Sequence, residues 1–232
     1  MSKKAKIDFL LAGVFGFLFI LLIVLLKTVD VQTIGPEGTA IGFAGINSAF
    51  HNATGYKDSL YTLTKLLGIT AILLVVFWAG LGVFQWIKKK SIKKVSRAII
   101  AAGGLYAIFA ILYVLFEKVI INYRPMIMEG DEHVEASFPS THTMLACVVF
   151  GSSILLIGRL VKHNILKLVL QILCGIALLT TVVGRLFCGV HWLTDICGGV
   201  LISATLVFLY AGIIRIWKKK KQQKRRSRRD DR

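Results

Sequence analysis

Long apolar runs, each bounded by charge, set the pattern of this chain. Six of them lie at about 7–26, 66–87, 98–116, 143–158, 168–183 and 197–216. Each approaches the roughly 20 residues that a helix needs to cross about 30 Å of hydrocarbon. Continuous runs rather than strict alternation predict helices and argue against a membrane β-barrel. The expected fold class is therefore all-α, a polytopic membrane protein with six transmembrane helices in one bundle. The first run follows a basic prelude, "MSKKAK", as a signal peptide would. It is longer than a usual signal core and no small-x-small cleavage site follows, so it reads as a retained anchor.

Composition agrees. Hydrophobic residues make up 56% of the 232 residues, with a mean hydropathy of +0.71, against about 45–50% in soluble domains. The net charge of +17 gains meaning from its placement. One set of loops holds Lys3, Lys4 and Lys6, the basic "KKKSIKKVSR" stretch, then Arg159, Lys162 and Lys167, and finally the tail from Arg215 onward. The other set holds Lys27, Lys57, Lys65, Lys118, Arg124 and Arg185. The positive-inside rule then puts both termini in the cytoplasm and residues 184–195 on the outer face of the cell membrane. The tail, 218–232, reads as a cytoplasmic stop signal touching anionic headgroups and not as a nucleic-acid binder. Cys147, Cys174, Cys188 and Cys197 lie in or beside apolar runs without CxxC spacing, so neither a disulfide framework nor a zinc site is expected. Residues 1–217 form the expected membrane domain.

Chemistry-bearing residues gather on the expected outer face. The segment 28–65 has turn signals at Gly35-Pro36 and Gly38 and predicts a turn with one or two short surface helices. The loop 117–142 carries Arg124-Pro125 and "PSTH", residues 139–142. The stretch 184–195, "GRLFCGVHWLTD", brings Arg185, His191 and Asp195 between two apolar runs. Ionisable groups at membrane depth are costly and point to function. Two guanidiniums match phosphate oxygens with bidentate forks and stay charged at any working pH. Ser140, Thr141 and a helix N-terminus add donors for an anion. His191 and Asp195 are at i and i+4, stacked if the sixth helix begins near 191, so the carboxylate can orient the ring and leave its other nitrogen free to attack. His142 remains as proton donor to a leaving alkoxide. The assembly describes cleavage of a phosphomonoester or diphosphate through a phosphohistidine, with no metal or cofactor required. The acidic "EGDEHVE", 129–135, reads as a solvated loop in preference to a device that repels highly anionic headgroups.

Arg124-Pro125, "PSTH" and Arg185-x5-His191-x3-Asp195, in that order, resemble the signature of the type-2 phosphatidate phosphatase family, membrane relatives of the vanadium-dependent haloperoxidases. The six-span layout extends the resemblance over most of the chain. It implies His191 as nucleophile, Asp195 as its orienting partner and His142 as general acid, with Arg124, Ser140, Thr141 and Arg185 holding phosphate. Three positions depart from the family pattern. Thr141 replaces a glycine, Gly184 replaces a serine, and the family's lysine, seven residues before its arginine, falls on Glu117. Lys118 is one residue out of register, a rotation of about 100° on a regular helix. Two arrangements compete: a tightened or bulged helix end that lets Lys118 reach phosphate, which is the favoured expectation, or Glu117 facing the pocket with the two arginines holding phosphate largely alone.

The expected activity is hydrolysis of a lipid phosphate of the undecaprenyl diphosphate, phosphatidylglycerophosphate or phosphatidate class, with the bilayer as partner. A lipid-to-lipid phosphotransferase would use the same histidine. A transporter or scaffold is the rival from another class, and spans nearly free of charge between their ends count against transport.

Overall fold

The computed structural model describes residues 1–230, with side chains through Trp217; the basic tail, 218–232, lies outside the described side chains. Seven α-helices are α1 (Lys3–Thr28), α2 (Ala44–Thr54), α3 (Asp58–Lys89), α4 (Arg97–Lys118), α5 (Thr141–Leu160), α6 (Asn164–Phe187) and α7 (Leu193–Asp230). All but α2 are long and apolar enough to span a membrane. The fold is an all-α bundle of six such helices.

Hydropathy located the spans but not their ends. Helix α3 begins at Asp58, eight residues before the apolar run at 66. Its first two turns pack on α6, where Thr64 abuts Gly184. Lys57 N–H donates to the carbonyl of Cys188 at the end of α6 at 3.1 Å. Helix α7 begins at Leu193, which leaves His191 just outside the helix.

The outer four helices and the inner two differ in what they bury. Helices α1, α3, α4 and α6 turn residues such as Phe17, Ile87, Ile111 and Ile165 outward, as lipid-facing helices do. Helix α5 is the most enclosed, with Met144, Val148, Val149 and Leu156 fully buried. It packs on α7 through Gly199, where a side chain would strike Thr143 and the carbonyl of Ser140. Between helices, Trp78 donates to Ser153 at 2.9 Å and Tyr106 pairs with Ser152 at 2.9 Å. Such bonds within a bilayer contribute only about 0.6 kcal/mol each, so they fix register more than they stabilise. Arg215 of α7 meets Asp8 of α1 at 3.1 Å, which puts the start of α1 and this turn of α7 at the same end of the bundle.

The opposite end carries a cap made by two loops. Gln32 and Ile41 pair in a short antiparallel bridge, and α2 follows. Asn47 of α2 donates to the Gly42 carbonyl at 2.8 Å and to Thr194 at 3.0 Å, clamping the first turn of α7. The 119–140 loop closes on itself through the Tyr123–Ala136 bridge. Its end is anchored by Phe138, which stacks on Phe19 at 5.8 Å and meets Phe116 edge-on. This aromatic cluster seats residues 139–142 at the head of α5.

Candidate active site

Four elements bring the site together: the loop 122–140, the start of α5, the end of α6 and the turn before α7. The turn 188–192 is possible because Gly189, at φ +80°, presses against the Gly55–Tyr56 backbone, where any side chain would collide. His191 and Asp195 then lie beneath the cap, 4% and 0% exposed.

The pair is not a direct hydrogen bond. His191 Nδ1 lies 3.8 Å from Asp195 Oδ2, because His191 precedes the helix and is not stacked one turn from Asp195. Ser137 fills the gap. Its Oγ lies 3.0 Å from His191 Nδ1 and donates a short hydrogen bond to Asp195 Oδ2. With the serine proton directed at the carboxylate, its oxygen accepts from Nδ1–H, which leaves Nε2 unprotonated. Asp195 Oδ2 also accepts Trp192 N–H at 2.9 Å, and the Trp192 indole donates to the Tyr123 carbonyl at 2.7 Å, tying the histidine turn to the residue before Arg124. Burial, then the guanidiniums of Arg124 and Arg185, hold His191 well below the ordinary histidine pKa. A neutral imidazole is the form that can attack.

Arg185, 1% exposed, lies 5.0 Å above the Tyr61 ring. Its Nε and Nη2 are buried without a hydrogen-bond partner, as is Nε of Arg124. Buried charged donors without partners are rare, and each implies a missing acceptor. Arg124 Nη2 is taken by Glu135 at 3.0 Å, and the Arg124 N–H by the Glu135 carbonyl. The acidic loop is thus tied to the site and not merely solvated; His133 and Val134 are also held, by Glu37.

His142 and Thr141 open α5, partly buried. His142 faces Gly68 of α3, where a side chain would come within 3.3 Å of its ring. Ser140 is fully buried; its N–H bonds the Asp195 carbonyl and its hydroxyl accepts from Thr143. It braces the loop against α7 and its hydroxyl has no exposure to the cavity. The expected bulge at Lys118 is absent. Val119 N–H bonds the Leu115 carbonyl in regular α register, Phe116 is the buried residue of that turn, and both Glu117 and Lys118 are exposed. The cavity of about 480 Å³ at Arg124 is lined by Lys65 and not by Lys118.

Sequence reasoning missed Ser137, Tyr61 and Lys65. Ser137 sits two residues before Pro139, and adjacency to "PSTH" was its only signal. Tyr61, Thr64, Lys65 and Gly68 form a small or polar stripe at helical spacing on α3, a pattern that could have marked the face turned to the site. The departure at Gly184 has a steric cause. A side chain there would lie 2.6 Å from Thr64 Cγ2, so α3 and α6 approach closely beside Arg185.

Among known proteins, the model of the PAP2 superfamily matches residues 12–219. Phosphatidylglycerophosphatase B of Bacillus subtilis (strain 168) is 31% identical over 97 residues, 41% of this chain and 46% of that relative, so the match spans less than half its length. The crystal structure of a transmembrane PAP2-type phosphatidylglycerolphosphate phosphatase from Bacillus subtilis aligns with a TM-score of 0.59 at 19% identity. That alignment covers 88% of this chain and 95% of the other, a likeness of fold.

Proposed function

Because this chain belongs to the PAP2 superfamily, we propose that it is a membrane lipid phosphatase acting through a phosphohistidine on His191. The observation that carries this reading is the set of buried, unpartnered guanidinium donors on Arg124 and Arg185 beside a buried, neutral histidine. Phosphate oxygens are the acceptors that such forks match. The guanidiniums supply the charge that offsets the transferring phosphoryl group, so the reaction needs no metal ion.

The steps follow from the geometry. His191 Nε2 attacks phosphorus while the bond from phosphorus to the lipid-side oxygen breaks, and His142 gives its proton to that oxygen. The Nδ1–H stays hydrogen-bonded through Ser137 to Asp195, whose charge supports the developing positive ring. Water then attacks phosphorus, passing a proton to His142. The P–N bond breaks, inorganic phosphate leaves, and His191 is neutral again. Thr141 and the first N–H groups of α5 add donors to the phosphate.

A lipid substrate is favoured by a second cavity. An apolar groove of about 600 Å³ runs between α3 and α6, lined by Leu60, Leu179, Val183 and Phe187, and reaches Gly184 beside Arg185. It has the chemistry to take a hydrocarbon tail while the headgroup enters at Arg124. A long-chain isoprenoid diphosphate, such as undecaprenyl diphosphate, is the first candidate. Phosphatidylglycerophosphate, the substrate class in the relatives' names, and phosphatidate follow. The distribution of Lys and Arg favours an outer-face site with both termini cytoplasmic.

Phosphate release from a panel of these lipids in detergent tests the reading. The wild-type chain should release phosphate, orthovanadate should inhibit it as a five-coordinate mimic, and His191→Ala should be inactive yet folded. A wild type inactive on every lipid phosphate, or an active His191→Ala, would overturn it.

A further inference from the structure

The mouth of the Arg124 cavity is charged in a way that the reacting phosphate does not require. Its lining sets four carboxylates, Asp58, Glu129, Asp131 and Glu135, against two cations, Lys65 and Arg124. Arg124 is paired with Glu135, and Asp58 accepts the Tyr56 hydroxyl at 3.1 Å. Lys65 has no carboxylate within 4.0 Å among the described residues. Its ammonium instead lies 5.4 Å from the centroid of the Tyr61 ring, the same ring that Arg185 covers. This is a weak hold that an anion readily displaces.

Register places Lys65 at the edge of the site. Tyr61, Thr64, Lys65 and Gly68 share one face of α3 by their spacing. Thr64 abuts Gly184 and Gly68 abuts His142, so this face looks onto the catalytic groups. Arg185 does not line this cavity but lies against Tyr61, which does, and its unpartnered donors together with Nε of Arg124 are the groups left to take the reacting phosphate. The next anionic group along a substrate then lies toward the mouth, among carboxylates that repel it. Lys65 is the cation there that no carboxylate occupies, and a point charge on a flexible stem suits a group of unfixed orientation.

Resting on the lipid-phosphatase reading above, we propose that Lys65 holds the second, non-reacting phosphate of a lipid diphosphate and makes the site prefer diphosphates to monophosphates. With an isoprenoid monophosphate or phosphatidate, whose phosphate is followed by an uncharged group, Lys65 has nothing to hold.

Equilibrium binding of methylenediphosphonate and of inorganic phosphate to the full chain in detergent tests this. The diphosphonate cannot be cleaved, so binding is read without turnover. The wild type should bind the diphosphonate more tightly than phosphate. Lys65→Ala should weaken the diphosphonate about tenfold or more, the scale of one charged hydrogen bond, and phosphate by less than about twofold. Lys65→Arg should retain most of the preference, and Lys118→Ala should leave both affinities unchanged. No preference in the wild type, no change in Lys65→Ala, or equal weakening of both anions would overturn the proposal; equal weakening is what a merely structural role gives. The phosphatase reading fails separately, through absence of phosphate release from lipids.

Discussion

Ser137 Oγ lies 3.0 Å from His191 Nδ1, and through this contact the histidine is oriented by a serine that itself leans on the buried carboxylate of Asp195. The serine therefore fixes both the ring's tautomer and its position. Ser137→Ala should lower kcat on the order of 10²-fold, the low end of the range for a lost proton-positioning partner, with KM little changed because Ser137 does not face the phosphate. Asp195→Asn should fall at least as far, and the double variant should lose little more than the worse single one, as members of one unit do. Additive losses in the double variant would show that the serine does not act through the chain to Asp195.

In the proposed site, the Glu135 carboxylate occupies a donor of Arg124 that substrate would need. The Nη2–Oε2 contact is 3.0 Å, but the Glu135 side chain is 51% exposed, which limits such a pair to about 1 kcal/mol or less. Glu135→Gln should tighten substrate binding by up to about fivefold, the equivalent of that energy, with kcat nearly constant. Steady-state kinetics on a lipid phosphate check this, and a raised KM would mean that Glu135 positions Arg124 more than it masks it.

The pH profile carries the sign of the His191 environment. Burial and the two guanidiniums favour the neutral ring, so its protonation limits kcat/KM only below the ordinary histidine value of about 6.5. Removing one positive neighbour favours the protonated ring and raises its pKa. Arg124→Gln should then shift the acid limb of kcat/KM toward neutral pH relative to the wild type on the same substrate, whose own ionisation is common to both profiles. A shift to lower pH would contradict the arrangement.

Legibility in the sequence followed the strength of each physical signal. Six spans could be read because twenty consecutive apolar residues have few other uses, and Arg185, His191 and Asp195 stood out because charge at membrane depth is costly. The start of α3 was hidden, since residues 58–65 are helical by packing against α6 and the Cys188 carbonyl and not by hydropathy. Ser137 was hidden because a loop serine gains meaning only when chain folding sets it between two residues more than fifty positions away. The register of the lysine was misleading for a related reason. Phe116 is drawn into the aromatic cluster with Phe19 and Phe138, and this turns Lys118 outward while α3 brings a different lysine to the cavity.

Gly184 shows how a departure from the family pattern is accommodated. Thr64 is fully buried and its hydroxyl is bonded to the carbonyls of Leu60 and Tyr61 at 2.9 Å each, which fixes its rotamer and aims Cγ2 at Gly184. Serine at 184 would put its Cβ 2.6 Å from that methyl, and neither helix backbone can yield freely next to buried Arg185. Overpacking of this kind costs about 1–3 kcal/mol. Gly184→Ser should therefore lower Tm and, by displacing Arg185, reduce kcat/KM. Thr64→Ser removes the offending methyl while keeping the hydroxyl, so the double variant Thr64→Ser/Gly184→Ser should recover most of both losses. The coupling is read from a double-mutant cycle on Tm and kcat/KM. Independent, additive effects would mean that Gly184 is required for a reason other than its contact with Thr64.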